Sequence, residues 1–439
     1  MQKTILFVAL LLVQLIYAQQ EKYDVVFKNV KLVSLDKNTI TELQSVAVTK
    51  GKILVIENTK KSKLKGVKEF DLKGHYIMPS LADAHVHLPE EETDLKRFLE
   101  LNLINGVTKL RSMRGDWKHI EWRNKYNTEN SFYPKLYLSA PPISRNYDLT
   151  TEQIEAFVKG AKANKMEFIK ILSIKNQDIF KELDSVCKKY EMPLGGHFPR
   201  LASGISLNEE VFFNSNYNSI EHLGGLAGET TLLNSRIKAI KENNIYVCPT
   251  LSWYSIGSGQ NSFEELPKLT GMEFISNATI QEWLESTKKY REKIGEQAYK
   301  DEVVSEMKDL DQKYVIIERL QKEGIKMLLS PDASSKYMLT GANMITEMEL
   351  LKNAKLSNAE ILQMATRNFS DFFKGNYGVL EVGKDADFIV LETNPLKDLK
   401  ALTKVNGVYF NEQFLDKSQL ETMKQNLLQT TNDQSVKNE

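Results

Sequence analysis

The chain has 439 residues, 41% of them hydrophobic, which allows two or three ordinary domains or one barrel with an accessory piece. Lys plus Arg and Asp plus Glu both number 58, so the formal net charge is zero. That balance offers no basic face for nucleic acid and no acidic tail; the expected partner is a small-molecule substrate, with self-association into a homo-oligomer left open.

Residues 1–18 read as a secretory signal: Lys3 supplies a charged start, residues 5–16 an apolar run broken only by Gln14, and Ala18 a small residue at the cleavage point. The run is too short for a membrane span. The mature protein is therefore expected to be periplasmic or secreted, with no stable membrane insertion. Two cysteines follow, Cys187 in a helical pattern and Cys248 in a strand, and two separate buried thiols are the default expectation.

Residues 19–77 carry short β-rich runs, with Thr49-Lys-Gly-Lys52 reading as a hairpin turn. From residue 78 to 375 strands alternate with helical stretches, the pattern of an α/β parallel sheet. Eight strands are predicted, over 82–88, 106–112, 135–140, 168–173, 194–198, 219–223, 245–251 and 325–330. Eight such units fit a (β/α)8 TIM-like barrel. An insertion, 254–320, is rich in Lys and Glu and either caps the site or elaborates the surface. A helix over 358–373 precedes renewed β texture at 376–416. With no helices between them, these strands are expected to join the N-terminal ones in a small β-sandwich built from both termini. Residues 417–428 read as a helix, and the rest, to 439, as a frayed tail.

The chemistry gathers at the barrel strand ends. Successive strand side chains alternate faces, so His85 and His87 of Ala84-His-Val-His87 project together and can hold one divalent cation. His197 and His222 each close another strand, and barrel active sites lie at the C-terminal ends of the strands. His75 and His119 look incidental. Lys170, within Phe168-Ile-Lys170, has two readings: its head reaches water at the rim, or burial lowers its pKa and the neutral amine takes up carbon dioxide. Asp332, after the eighth strand, is either a cap or a member of the same mouth.

At these residues the chain resembles the amidohydrolase superfamily, in particular the branch of imidazolonepropionase-like proteins and metal-dependent Xaa-Pro dipeptidases. The resemblance spans Pro79-Ser-Leu-Ala-Asp-Ala-His-Val-His87, Gly106-Val-Thr108, Phe168-Ile-Lys170, the two strand-end histidines, and Gly383-Lys-Asp-Ala-Asp-Phe388 with Asn394-Pro395. It implies a metallo-barrel in which His85, His87 and Asp332 hold one ion and His197 and His222 a second. Carboxylated Lys170, made with carbon dioxide, would bridge them. The implied metal is two Zn, with a single ion or Mn, Fe, Co or Ni as alternatives. Departures fall at Ser80, where Pro-Gly is usual, at Arg111-Ser112 for Arg-Asp, at Ser330-Pro331 for Gly-Thr, and at Ala140-Pro-Pro-Ile-Ser-Arg145, where a Gly- and His-rich loop is frequent.

The expected function is an exported metal-dependent hydrolase of an amide bond in a small substrate, a dipeptide or N-acyl amino acid. It would act through a metal-bridging hydroxide, with Asp332 carrying the proton to the leaving nitrogen. Tyr254, Arg111 and Arg114 are candidates for a substrate carboxylate. The alternatives are hydrolysis of a cyclic amide, lactone or phosphoester at the same site, and a catalytically inactive exported binding protein.

Overall fold

The computed structural model describes residues 22–129, 131–228 and 231–436. The expected leader, residues 1–18, lies outside them. Among the described helices none is long and apolar enough to cross a membrane.

Six N-terminal strands come first: β1 (Tyr23–Ser34), β2 (Thr39–Ile40), β3 (Gln44–Thr49), β4 (Lys52–Asn58), β5 (Gly66–Asp71) and β6 (Tyr76–Pro79). The β3–β4 turn has Lys50 at φ 49 and Gly51 at φ 67, the pair of positive angles that matches the twist of a two-residue hairpin. The barrel strands follow: β7 (Leu81–Val86), β8 (Val107–Ser112), β9 (Lys135–Ile143), β10 (Phe168–Ile171), β11 (Leu194–Gly196), β12 (Tyr217–Glu221) and β13 (Tyr246–Cys248). All their pairings are parallel and in sequence order. Every residue of β7, β8 and β10 is buried, as expected for strands covered on both faces.

The predicted eighth strand is irregular. Its segment still closes the ring, bonding Val247 on one side (Leu328 N to Val247 O, 2.9 Å) and Ala84 on the other (Ala84 N to Leu329 O, 3.0 Å). The helix expected over 358–373 is two helices, Asn358–Met364 and Arg367–Phe372. The break has a cause: the Ala365 carbonyl accepts from Ala82 N at 2.8 Å and so leaves the helical ladder for the first barrel strand.

Strands from the C-terminal part, β14 (Phe388–Leu391), β15 (Val405–Phe410) and β16 (Gln413–Asp416), join the N-terminal ones in a single nine-stranded curled sheet. Antiparallel β14–β6 pairing is the seam between the two ends of the chain. The curl encloses Phe27, Phe388, Tyr409 and Phe414, with ring centroids 5.0–5.3 Å from Phe27. The C-terminal helix is longer than its sequence suggests, running Lys417–Val436. Arg97, on the helix Glu92–Ile104, anchors it by donating to the Leu427 carbonyl at 2.9 Å and to Thr431 Oγ1 at 2.8 Å. Cys187 and Cys248 are both buried and free.

Candidate metal centre

The loop ends of β7, β10, β11, β12 and the closing segment bring His85, His87, Lys170, His197, His222 and Asp332 to one mouth. The His85 and His87 rings lie 5.5 Å apart and nearly parallel. His85 and His222 are 4.8 Å apart, and His222 and His197 5.0 Å. Asp332 reaches three of them: Oδ2 is 3.9 Å from His85 Nε2 and 3.9 Å from His222 Nδ1, and Oδ1 is 3.7 Å from His87 Nε2. Lys170 Nζ lies 3.4 Å from His85 Nε2.

Backbone conformation puts them there. Gly196 has φ 127, and a Cβ at that position would strike the Ile171 backbone, so glycine lets β11 close against β10 and delivers His197 beside Lys170. His222 (φ 60), Leu223 (φ 53), Thr250 (φ 52) and Asp332 (φ 48) occupy the left-handed region without being glycine. Such angles cost about 1–3 kcal/mol each for bulky residues and persist where surrounding structure enforces them, often at functional sites.

The donor set fits a divalent metal because three of the four imidazoles have one nitrogen already committed, leaving the other for an ion. His85 Nδ1 is 2.9 Å from Glu221 Oε2, so it is the protonated nitrogen and Nε2 carries the lone pair towards Lys170 and Asp332. His222 Nδ1 is 2.6 Å from Thr250 Oγ1, whose own proton goes to the Pro249 carbonyl at 2.8 Å; the hydroxyl therefore accepts from Nδ1–H. His197 bonds the Leu172 backbone. His87 Nε2 is buried with no hydrogen-bond partner. His85, His87 and Asp332 offer donor atoms within 4.8 Å of one another. Burial holds all four rings neutral: His87 is brought down to about 3, His197 to about 4, and His85 and His222 well below the usual range, with the Lys170 charge reinforcing the shift at each. Burial also brings Lys170 down to about 8 and raises Asp332. The bland rim reading of Lys170 does not hold, since the residue is 3% exposed.

The three expected substrate residues divide. Tyr254 lines the cavity above the centre, about 740 Å³, from the short helix Leu251–Gly257; its hydroxyl donates to the His222 carbonyl at 2.9 Å. Arg111 is wholly buried below the floor, bonded to Glu221 Oε1 at 2.9 Å and Ser219 Oγ at 2.6 Å, so a substrate has no path to it. Its role is to fix the carboxylate that orients His85. Arg114 points away at the surface, 3.4 Å from Glu90, and does not line the cavity. The insertion contributes no lining residue beyond Tyr254; instead Lys313 stacks 4.1 Å over the Tyr254 ring, so it supports the wall from behind. His119 packs against Trp122, away from the mouth.

Sequence reasoning missed Glu221, which stands beside His222 in the same strand-end motif. It also missed Arg145, Arg200 and Trp253, which line the cavity. Their positions just after β9, β11 and β13 were the available signal, because barrel loops at that end build the substrate wall.

Comparisons with known proteins agree with the fold. The chain shares 92% of its length with a bottromycin amidohydrolase (TM-score 0.72, 19% identity, 90% of that chain). It likewise shares 89% with a Xaa-Pro dipeptidase solved with methionine in its active site (0.66, 17%, 99% of that chain). An ochratoxinase from A. niger matches 91% of this chain and 97% of its own (0.67, 15%). An adenine deaminase of Methanocaldococcus jannaschii is 24% identical over 205 residues, 43% of this chain and 36% of that protein. One from Geobacillus kaustophilus is 34% identical over 91 residues, 21% of this chain and 15% of that protein. The chain thus spans about a third of the first of these curated relatives and about a seventh of the second. The Amidohydrolase family profile matches residues 76–413, from the seam strand through the whole barrel and back into the curled sheet, and the chain belongs to that family.

Proposed function

We propose that the protein is an exported, metal-dependent hydrolase that cleaves an amide bond in a small substrate, a dipeptide or an N-acyl amino acid. The observation that supports this most is the group His85, His87 and Asp332, whose donor atoms lie within 4.8 Å of one another, with His85 Nδ1 tied to Glu221 so that its Nε2 lone pair faces Asp332 and Lys170.

One or two divalent ions, zinc in the first instance, would be held by His85, His87 and Asp332 and by His197 and His222, and would supply Lewis acidity and an activated water. The chain's own residues do the rest. Asp332, with Ser334 Oγ donating to its Oδ1 at 2.8 Å, keeps Oδ2 free to accept a proton and deliver it to the departing nitrogen. Burial raises its pKa, which brings it nearer the working range of a proton carrier. Lys170 is buried, and its lowered pKa of about 8 leaves an appreciable neutral fraction, the form that adds carbon dioxide to give an anionic oxygen donor. Tyr254 and the His222 carbonyl it holds fix the wall beside the scissile group. Enclosure by Trp253, Phe198 and Leu172 reduces competing water.

The test is metal analysis of the purified mature chain followed by a dipeptide and N-acyl amino acid screen. Two ions per chain, bicarbonate-dependent recovery of activity after acid treatment, and turnover of at least one amide are expected. Saturation with zinc or manganese and no turnover of any amide would sink the reading. Turnover confined to lactones, cyclic amides or phosphoesters would replace the substrate class and keep the centre.

A further inference from the structure

The cavity has unequal walls. Arg145 follows β9 and Arg200 follows β11, on either side of β10. Their backbones are tied to the same short segment: Arg145 N donates to Ser173 Oγ at 2.9 Å, and Ile174 N donates to the Arg200 carbonyl at 3.0 Å. Both arginines line the cavity. Neither has an ion-pair or side-chain hydrogen-bond partner among the described residues. The two acidic groups of the cavity are at its floor and already engaged, Glu221 by Arg111 and His85 and Asp332 by the histidines and Ser334. The neighbouring Asp148 is matched by Lys175. Three strands further round, after β13, the facing wall is Trp253 and Tyr254, with Trp253 43% exposed to the opening.

From this we infer that the preferred substrate carries two carboxylates, its amino-acid portion being of the aspartate or glutamate type, with Arg145 and Arg200 as the specificity-determining pair. The inference rests on the amide-hydrolase reading of the site and narrows its substrate. One carboxylate, the amino acid's own, can satisfy one guanidinium in a forked pair of hydrogen bonds; a second guanidinium on a separate loop calls for a second anion. The acyl portion then lies towards Trp253, whose flat apolar face accepts a methyl or larger group. The scissile carbonyl falls between the two walls, over Lys170 and Asp332. Placement of the charges away from the floor means they act on binding rather than on the bond-breaking step.

The experiment compares matched pairs on the metal-loaded enzyme: alanyl-glutamate with alanyl-glutamine, and N-acetylglutamate with N-acetylglutamine. The acidic member is expected to have the higher kcat/KM by about tenfold or more, mainly through KM. In Arg145→Met and Arg200→Met that preference should fall towards parity, while circular dichroism stays native. Equal use of the two members by the wild type, or a preference that survives both substitutions, would overturn the proposal. If no amide is cleaved, the hydrolase reading fails, and the arginine pair is judged by calorimetry with glutarate and butyrate instead. Glutarate binding about tenfold tighter, lost in both variants, supports the pair; equal binding of the two acids refutes it.

Discussion

Two of the buried polar clusters among the described residues are built to opposite rules. At the joint between barrel and curled sheet, Asp387 accepts from Ser80 and from Thr108 Oγ1 (3.2 Å) and is ion-paired with Lys109, which also donates to Thr108 at 3.0 Å and sits 4.3 Å over the Tyr377 ring. Every group there is used by another group of the same cluster. At the barrel mouth the polar groups meet loosely: His87 Nε2 lies 3.7 Å from Asp332 with no hydrogen-bond partner, and Lys170 faces an imidazole lone pair. Unsatisfied buried donors and acceptors cost about 1–3 kcal/mol each, so a fold keeps several in one place only when something else completes them. A closed cluster holds the fold together, whereas an open one is a binding site.

The sharpest way to break this contrast is at Asp332. Asp332→Asn should lower kcat/KM by about a thousandfold or more, because the proposed proton carrier and a proposed metal donor go together. Its unfolding free energy should stay near the wild-type value or rise, since burial already disfavours that carboxylate. Activity within tenfold of wild type would show that the open cluster is not the reactive one. Asp387→Ala should do the reverse. It strands Lys109 in a site where the pair is 3% and 7% exposed, and breaking a buried pair costs about 3–5 kcal/mol in urea unfolding. Metal content of the folded fraction should be unchanged. A loss of metal with intact stability would make the joint part of the site.

Glu221→Gln sharpens the comparison from between the clusters, since Glu221 is closed on one oxygen by Arg111 and on the other by His85. Removing its charge releases the His85 tautomer, and metal affinity is expected to weaken about 10–100-fold in competition with a chelator. Affinity equal to wild type would mean that the Arg111–Glu221 pair serves packing alone.

How much of this was legible in the sequence depends on how local the cause was. Strand periodicity and strand-end chemistry point His85, His87, His197, His222 and Asp332 to one mouth; for Lys170 they leave two readings open, and its place beside the histidines is implied by the family resemblance. Arg111 was misassigned because a charged residue beside a strand end normally reaches solvent; its burial requires Glu221, 110 residues away, and the Phe168 ring 4.3 Å below it. The departures from the family pattern became readable only in three dimensions. Ser80 contributes its hydroxyl to Asp387, and Ser330 Oγ both donates to the His85 carbonyl and accepts from Asp332 N at 3.0 Å, setting the left-handed turn that aims Asp332. The split at Ala365 and the long C-terminal helix likewise have tertiary causes, a bond to Ala82 and a clamp by Arg97, which no window of local sequence contains.

A fourth buried carboxylate puts the contrast to its finest test. Glu347 is closed like the joint: it accepts from Leu251 N (2.8 Å), Ser252 N (2.6 Å) and Ser252 Oγ (2.8 Å). Yet these bonds pin the start of the helix that presents Trp253 and Tyr254 to the cavity. Burial pushes its pKa up to about 7 against those three donors. In the unfolded chain the group titrates near 4.5, so between the two values the folded protein holds a proton that the unfolded chain has released. Its contribution to stability is therefore full below about pH 4.5 and is lost as pH rises towards 7, by at most about 1.4 kcal/mol per pH unit. Relative to Glu347→Gln, wild-type stability should fall by about 1 kcal/mol per unit between about pH 5 and 7. The ionised carboxylate accepts from the same three donors at least as strongly, so the helix start stays pinned and substrate KM should stay flat over the same interval. Parallel stability curves for the two proteins would show that Glu347 stays ionised throughout, a permanent acceptor for its three donors.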